Sequence, residues 1–137
     1  MRGWLKLVGT SEWQLPDAWG IDRKDLLREV RFSELHAPDP ISRGDRLVYL
    51  AVGHKKIVAL VEVLDDEASL DPHPSGWEKQ WPLIIRVRPL ARVARVSNAP
   101  ATSSLGPIPD LAHMGFVPLK DAQLELAEHV LLAAGAT

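Results

Sequence analysis

Two apolar runs separated by a four-residue turn constrain this chain more than any other feature. Leu47-Val48-Tyr49-Leu50-Ala51-Val52 and Ile57-Val58-Ala59-Leu60-Val61-Glu62-Val63 flank Gly53-His54-Lys55-Lys56. Runs this short, rich in β-branched residues and bounded by glycine, read as strands, and the turn reverses one onto the other. Neither run alternates with polar residues, so the pair must be buried on both faces or set inside a tight barrel. Gly44-Asp45 opens the first strand, and a Trp-Xaa-Xaa-Xaa-Trp-Pro segment (Trp77 to Pro82) leads into a third.

That third strand, Leu83 to Val93, is amphipathic. Arg86, Arg88 and Arg92 share one face by the period-two rule, while Ile85, Val87, Ala91 and Val93 share the other, and Pro89 marks an edge or a bulge. Trp4-Leu5-Lys6-Leu7-Val8 forms a first strand stopped by Gly9-Thr10-Ser11. Asp22 is placed to cap a short helix with Leu26, Leu27 and Val30 inward. Residues 36–40 break regular structure, and residues 97–110 read as an irregular crossing loop. Phe116-Val117 adds a last short strand. Residues 120–134 carry Leu124, Ala127, Leu131 and Ala134 at helical spacing, with Gly135 as the stop. The class is α+β: a small mixed β-barrel of about five or six strands, flanked by short helices and a C-terminal helix. No internal repeat is visible, and residues 1–137 read as a single domain.

Composition removes several function classes. Cysteine is absent, so disulfides, thiolate nucleophiles and thiolate metal sites are excluded. No apolar run approaches the roughly 18–20 residues that cross a bilayer, and no signal-peptide pattern opens the chain, so a cytoplasmic location is expected. A net charge of −2 rules out a global basic field but leaves room for a local one. Five histidines lie without ligand spacing, so no metal site is expected. His73 beside Asp71 reads as a solvated loop. No phosphate loop, nucleophile elbow or His-Glu-x-x-His motif occurs, so neither catalysis nor a cofactor is indicated.

In their order these pieces resemble the PUA-like superfamily, and within it the EVE domain, a relative of the YTH domain. Trp4-Leu5 precedes Ser11-Glu12, as the family's first strand precedes its Ser-Glu element. Gly44-Asp45 and Tyr49 fit its turn into an apolar strand, and Ile57-Val58-Ala59-Leu60-Val61-Glu62-Val63 matches its Ile-Val-Gly/Ala-x-x-Glu-Val strand. Asp71-Pro72 and the stretch from Trp81 to Val87 fit its Asp-Pro loop and Val-x-Val strand. The helix after Phe116-Val117-Pro118-Leu119 also has a counterpart. The family's Trp-Asp-Gly-Val-Arg-Asn stretch is reduced here to Trp19-Gly20-Ile21-Asp22, without the Arg-Asn pair.

The resemblance implies a PUA-like barrel that holds an extruded, often methylated, base between aromatic walls. Stacking on side chains restores roughly 1–3 kcal/mol per base lost from its own strand. Five tryptophans against two phenylalanines and one tyrosine supply such walls. By analogy with the YTH cage, Trp13 or Trp19 forms one wall and Trp77 the other. Trp81 and Trp4 read as core. Ser11, Thr10 and nearby backbone read the ring edge, and Tyr49 lies on the strand beneath. Arg86, Arg88 and Lys55 are the phosphate contacts. The expected activity is a non-enzymatic module for RNA or DNA carrying a modified base, with no membrane partner. Two alternatives stay open. One is an ASCH-like enzyme acting on RNA or a small nucleoside, drawing on Lys6, Lys79, Tyr49 or Glu62; the other is a protein-interaction barrel.

Overall fold

The structure is a computed structural model and describes residues 2–33, 41–108 and 115–137. Its elements are β1 (Gly3–Val8), α1 (Trp19–Asp22), β2 (Glu29–Phe32), β3 (Arg46–Ala51), β4 (Lys56–Val63), β5 (Ser69–Leu70), β6 (Leu83–Arg92), β7 (Phe116–Leu119) and α2 (Asp121–Ala133). The break expected at 36–40 and the last two positions of the 97–110 loop lie outside the described residues. Within residues 97–108 the expected irregular crossing contains two short 3-10 turns, one of which begins just before it at Val96.

The hairpin forms as expected. β3 and β4 pair antiparallel from Arg46↔Glu62 to Ala51↔Lys56, and both are buried almost throughout. Gly44 adopts a φ of +91°, which a Cβ would oppose. Asp45 is buried because its carboxylate is used twice. It accepts N–H bonds from Arg2 and Ser42, both at 2.9 Å. The Gly-Asp pair therefore closes the turn and ties the start of β1 to β3.

β1 runs parallel to β3 in the register Gly3↔Arg46 through Val8↔Ala51, and β7 runs antiparallel on its other side. A parallel pair needs a crossover, which the chain between β1 and β3 supplies. The seven strands form one mixed sheet in the order β2-β6-β4-β3-β1-β7, with β5 also on β6. The sheet curls until its two ends approach. Phe32 of β2 and Phe116 of β7 meet edge to face, with ring centroids 5.2 Å apart. α2 packs Leu124, Ala127 and Leu131 inward, and a Cβ on Gly3 would fall 2.3 Å from Leu124 Cδ1, so the glycine admits the helix.

One expected element is different. Residues 22–30 do not form a helix capped by Asp22. Asp22 is the last residue of α1, a 3-10 turn covers Lys24–Leu27, and β2 begins at Glu29. The Leu26-Leu27-Val30 spacing suits a helix, but Val30 and Phe32 also alternate with Glu29 and Arg31. Pairing of those four residues with β6, from Glu29↔Arg86 to Phe32↔Leu83, decides the outcome. Pro89 sits where expected: the β4–β6 register shifts between Val61↔Pro89 and Leu60↔Ala91.

Candidate functional site

A cleft of about 2090 Å³ opens along the seam where the curled sheet's ends approach. It draws its lining from the C-terminal ends of β1 and β3, from β2, and from the turn before β6. Typical small-ligand pockets hold roughly 300–1,000 Å³, so this cleft has room for a ring together with the chain that carries it.

Trp13 stands on one side, 43% exposed. Its position follows from a tight turn at the end of β1. Gly9 takes φ +98°, and a Cβ there would lie 2.9 Å from the Trp13 carbonyl. Thr10 N–H donates to that carbonyl at 2.7 Å, while its Oγ1 accepts from Glu12 N–H and Trp13 N–H at 3.1 and 3.0 Å. The Arg23 guanidinium lies 4.9 Å from the Trp13 ring centroid and pairs with Asp25 at 3.3 Å. Ser11 lies on the same lip, exposed.

Trp77 stands in the 3-10 turn Gly76–Gln80, 55% exposed, its ring 6.0 Å from that of Trp81. The turn is capped at Ser75, whose N–H donates to Glu78 Oε1 at 3.2 Å. Arg31 of β2 fastens this wall. Its side chain, 13% exposed, pairs with Asp71 at 2.8 Å and Glu78 at 3.1 Å, and its guanidinium lies 5.9 Å from the Trp77 centroid. The Arg31 hydrogen bond, backed by the His73 N–H, holds the Asp71 carboxyl below the usual carboxylate range.

Beneath lie Tyr49 and Lys6, Cα partners on adjacent strands. Tyr49 is fully buried and donates its hydroxyl to Leu26 O at 2.6 Å; burial, aided by the Asp25 charge, raises its phenol well above the ordinary value. Lys6 Nζ donates to Leu7 O at 2.8 Å and sits 5.1 Å from the Phe116 centroid. Burial lowers its pKa to about 8. His54 Nε2 lies 3.0 Å from Leu15 O, so that nitrogen carries the proton.

The structure thus brings Trp13, Trp77, Ser11, Tyr49 and Lys55 to one cleft. Trp19 does not belong with them. It is 0% exposed and packs edge-on to Tyr49 at 6.5 Å, because α1 folds back against the end of β6 through Gly20 N–H to Ala94 O. Trp81, expected in the core, is half-buried and lines the cleft beside Trp77. Trp4 is buried as expected.

The arginine stripe is engaged elsewhere. Arg86 pairs with Asp65 at 2.6 Å, Arg88 with Glu62 at 2.8 Å, and Arg92 donates to Gly20 O at 2.5 Å. Glu62, the acid considered for an enzyme, is therefore held by Arg88 and does not line the cleft. Among the described residues no cluster of His, Asp and Glu could hold a metal ion, and no helix is long and apolar enough to cross a membrane. Arg23 and Arg31 are the site residues that sequence reasoning missed. Only the alternation of Glu29-Val30-Arg31-Phe32 could have pointed to Arg31, by marking a strand there.

No family model and no curated protein matches the chain. Solved structures do. The Mmi1 YTH domain superposes with a TM-score of 0.61 at 12% identity, covering 97% of this chain and 97% of that one. Rpa0253 from Rhodopseudomonas palustris gives 0.53 at 18% identity, covering 98% and 94%. A protein from Leishmania major gives 0.53 at 14% identity, covering 98% and 95%. At these identities the likeness establishes the architecture alone: the chain shares the α+β fold of the Mmi1 YTH domain, a curled mixed sheet with a C-terminal helix.

Proposed function

We propose that this protein is a non-enzymatic, EVE-type binding module that holds one flipped, modified nucleobase of RNA or DNA in the seam cleft. The observation that carries this reading is the pairing of walls: Trp13 and Trp77, exposed, come from separate elements and border the same cleft. Arginines back both indoles, Arg23 on Trp13 and Arg31 on Trp77. A base stacked on the open indole faces gains roughly 1–3 kcal/mol. A methyl group on the ring adds apolar contact and, where it replaces an N–H hydrogen, also removes a donor that would otherwise be buried unpaired. Ser11 and the backbone of the Gly9–Trp13 turn meet the ring edge. Lys55, at the hairpin tip on the cleft's rim, attracts the flanking phosphates. Arg86 and Arg88 are exposed, yet their carboxylate partners cancel most of their local field.

The test is titration of the full chain with oligonucleotides carrying methylated or hydroxymethylated bases, read by tryptophan fluorescence. Quenching is expected. Trp77→Ala should lose roughly 1–3 kcal/mol of binding, whereas Arg92→Ala, whose side chain serves Gly20, should bind nearly as well as wild type. Absence of quenching, or equal losses in the two variants, defeats the reading.

A further inference from the structure

The hydrogen-bonding groups along the cleft are unequally committed. Asp25 is held by Arg23, and Glu29 and Glu78 by Arg31. The Tyr49 hydroxyl donates to Leu26 O, His54 faces Leu15 O, and Lys56 Nζ donates to Ala99 O at 3.1 Å. Lys6 is different. Its ammonium has three donors and no acceptor, one donor goes to Leu7 O, and no carboxylate pairs with it among the described residues. It rises from the middle of β1 between Tyr49 and Phe116, inside the seam. The spare hydrogen-bonding capacity of Lys6 is donor only.

We infer that Lys6 sets ligand choice, selecting a ring that turns a carbonyl oxygen toward β1: an oxo-base of the cytosine, uracil or guanine type over an adenine type. This rests on the cleft being a base site. An exocyclic carbonyl accepts from the spare N–H groups, and its dipole offsets the desolvation of the cation. An adenine-type ring offers only ring nitrogens as acceptors, and its amino group would meet a donor. Sites built around a buried polar group reject the analogue that leaves it unpaired. A hydrogen bond to a charged group corresponds to about a tenfold to hundredfold preference. Burial lowers the Lys6 pKa to about 8, so the cationic form dominates at neutral pH and fades above it.

The experiment compares two single-stranded oligonucleotides that differ at one position, 5-methylcytosine against N6-methyladenine, by anisotropy and tryptophan quenching. Wild type should bind the 5-methylcytosine strand at least about tenfold more tightly at pH 7. Lys6→Met should erase that preference while leaving the quenching. Should that variant fail to fold, the wild-type preference itself should shrink between pH 7 and pH 9.5, where neither base titrates. Equal or tighter binding of the N6-methyladenine strand, or a preference that survives both Lys6→Met and pH 9.5, overturns the assignment to Lys6. Binding of neither strand defeats the cleft reading, and this inference with it.

Discussion

At the scale of single residues, the tryptophans divide by burial, and the division has measurable consequences. Trp19 is enclosed, with its indole N–H left without a partner among the described residues, and its ring supports Tyr49. Trp19→Ala should lower unfolding free energy by about 3–5 kcal/mol, as truncation of a core aromatic does. Trp77→Ala should change it by no more than about 1 kcal/mol, because the ring is largely solvated. Urea unfolding of the two variants distinguishes these outcomes, and equal losses would show that Trp77 is structural. The sequence carries the number of indoles and their loop positions. It does not carry which loop folds inward. Trp13 and Trp19 both sit in turn-rich sequence, and it is the bonding of Asp17 and Gly20 to the chain at and after the end of β6 that holds Trp19 in the core.

Among elements, β2 matters most for the cleft, and it was the least visible. The hairpin, β6 and α2 announce themselves through long runs with a clear period. β2 has four residues, and its neighbours Leu26 and Leu27 extend a helical spacing across it. What makes it a strand is the backbone of β6, far away in sequence, and no local pattern contains that partner. The functional cost of missing it is Arg31, which ties β2 to the turn bearing Trp77. Arg31→Met should destabilise the fold by about 2 kcal/mol, the scale of hydrogen bonds to charged groups, by leaving Asp71 and Glu78 without their cation. Its distinguishing sign is local: proteolysis between β5 and β6 should accelerate while α2 stays protected. Uniform sensitivity along the chain would contradict a role confined to that wall.

Across the whole molecule, stability should rise with pH in two separate windows, one acidic and one alkaline. Asp17, Asp65 and Asp71 are held below the ordinary carboxylate range, chiefly by the Ser97 N–H, the Arg86 side chain and the Arg31 side chain respectively. Carboxyls depressed in the folded state contribute stability that is complete above about pH 4 and is lost as pH falls through their folded values. Lys6 acts with the same sign at alkaline pH. Its folded pKa of about 8 lies below the unfolded value of about 10.4. Between those values the unfolded chain binds more protons, so the Lys6 contribution grows with pH. Denaturation midpoints should therefore fall below pH 4 and rise modestly from pH 8 to 9.5. Lys6→Met should remove only the rise, and persistence of the rise in that variant would assign it to another group. The joint between Phe32 and Phe116 has a different consequence. Because β2 and β7 stand at opposite ends of the sheet order, the barrel is fastened there by two rings and by no ladder of amides among the described residues. A fastening without directional bonds can slide by fractions of an ångström at little cost. Slow hydrogen–deuterium exchange should then concentrate in β3 and β4, with faster exchange where β2 and β7 meet, so that a guest can be admitted there without melting the scaffold that grips it.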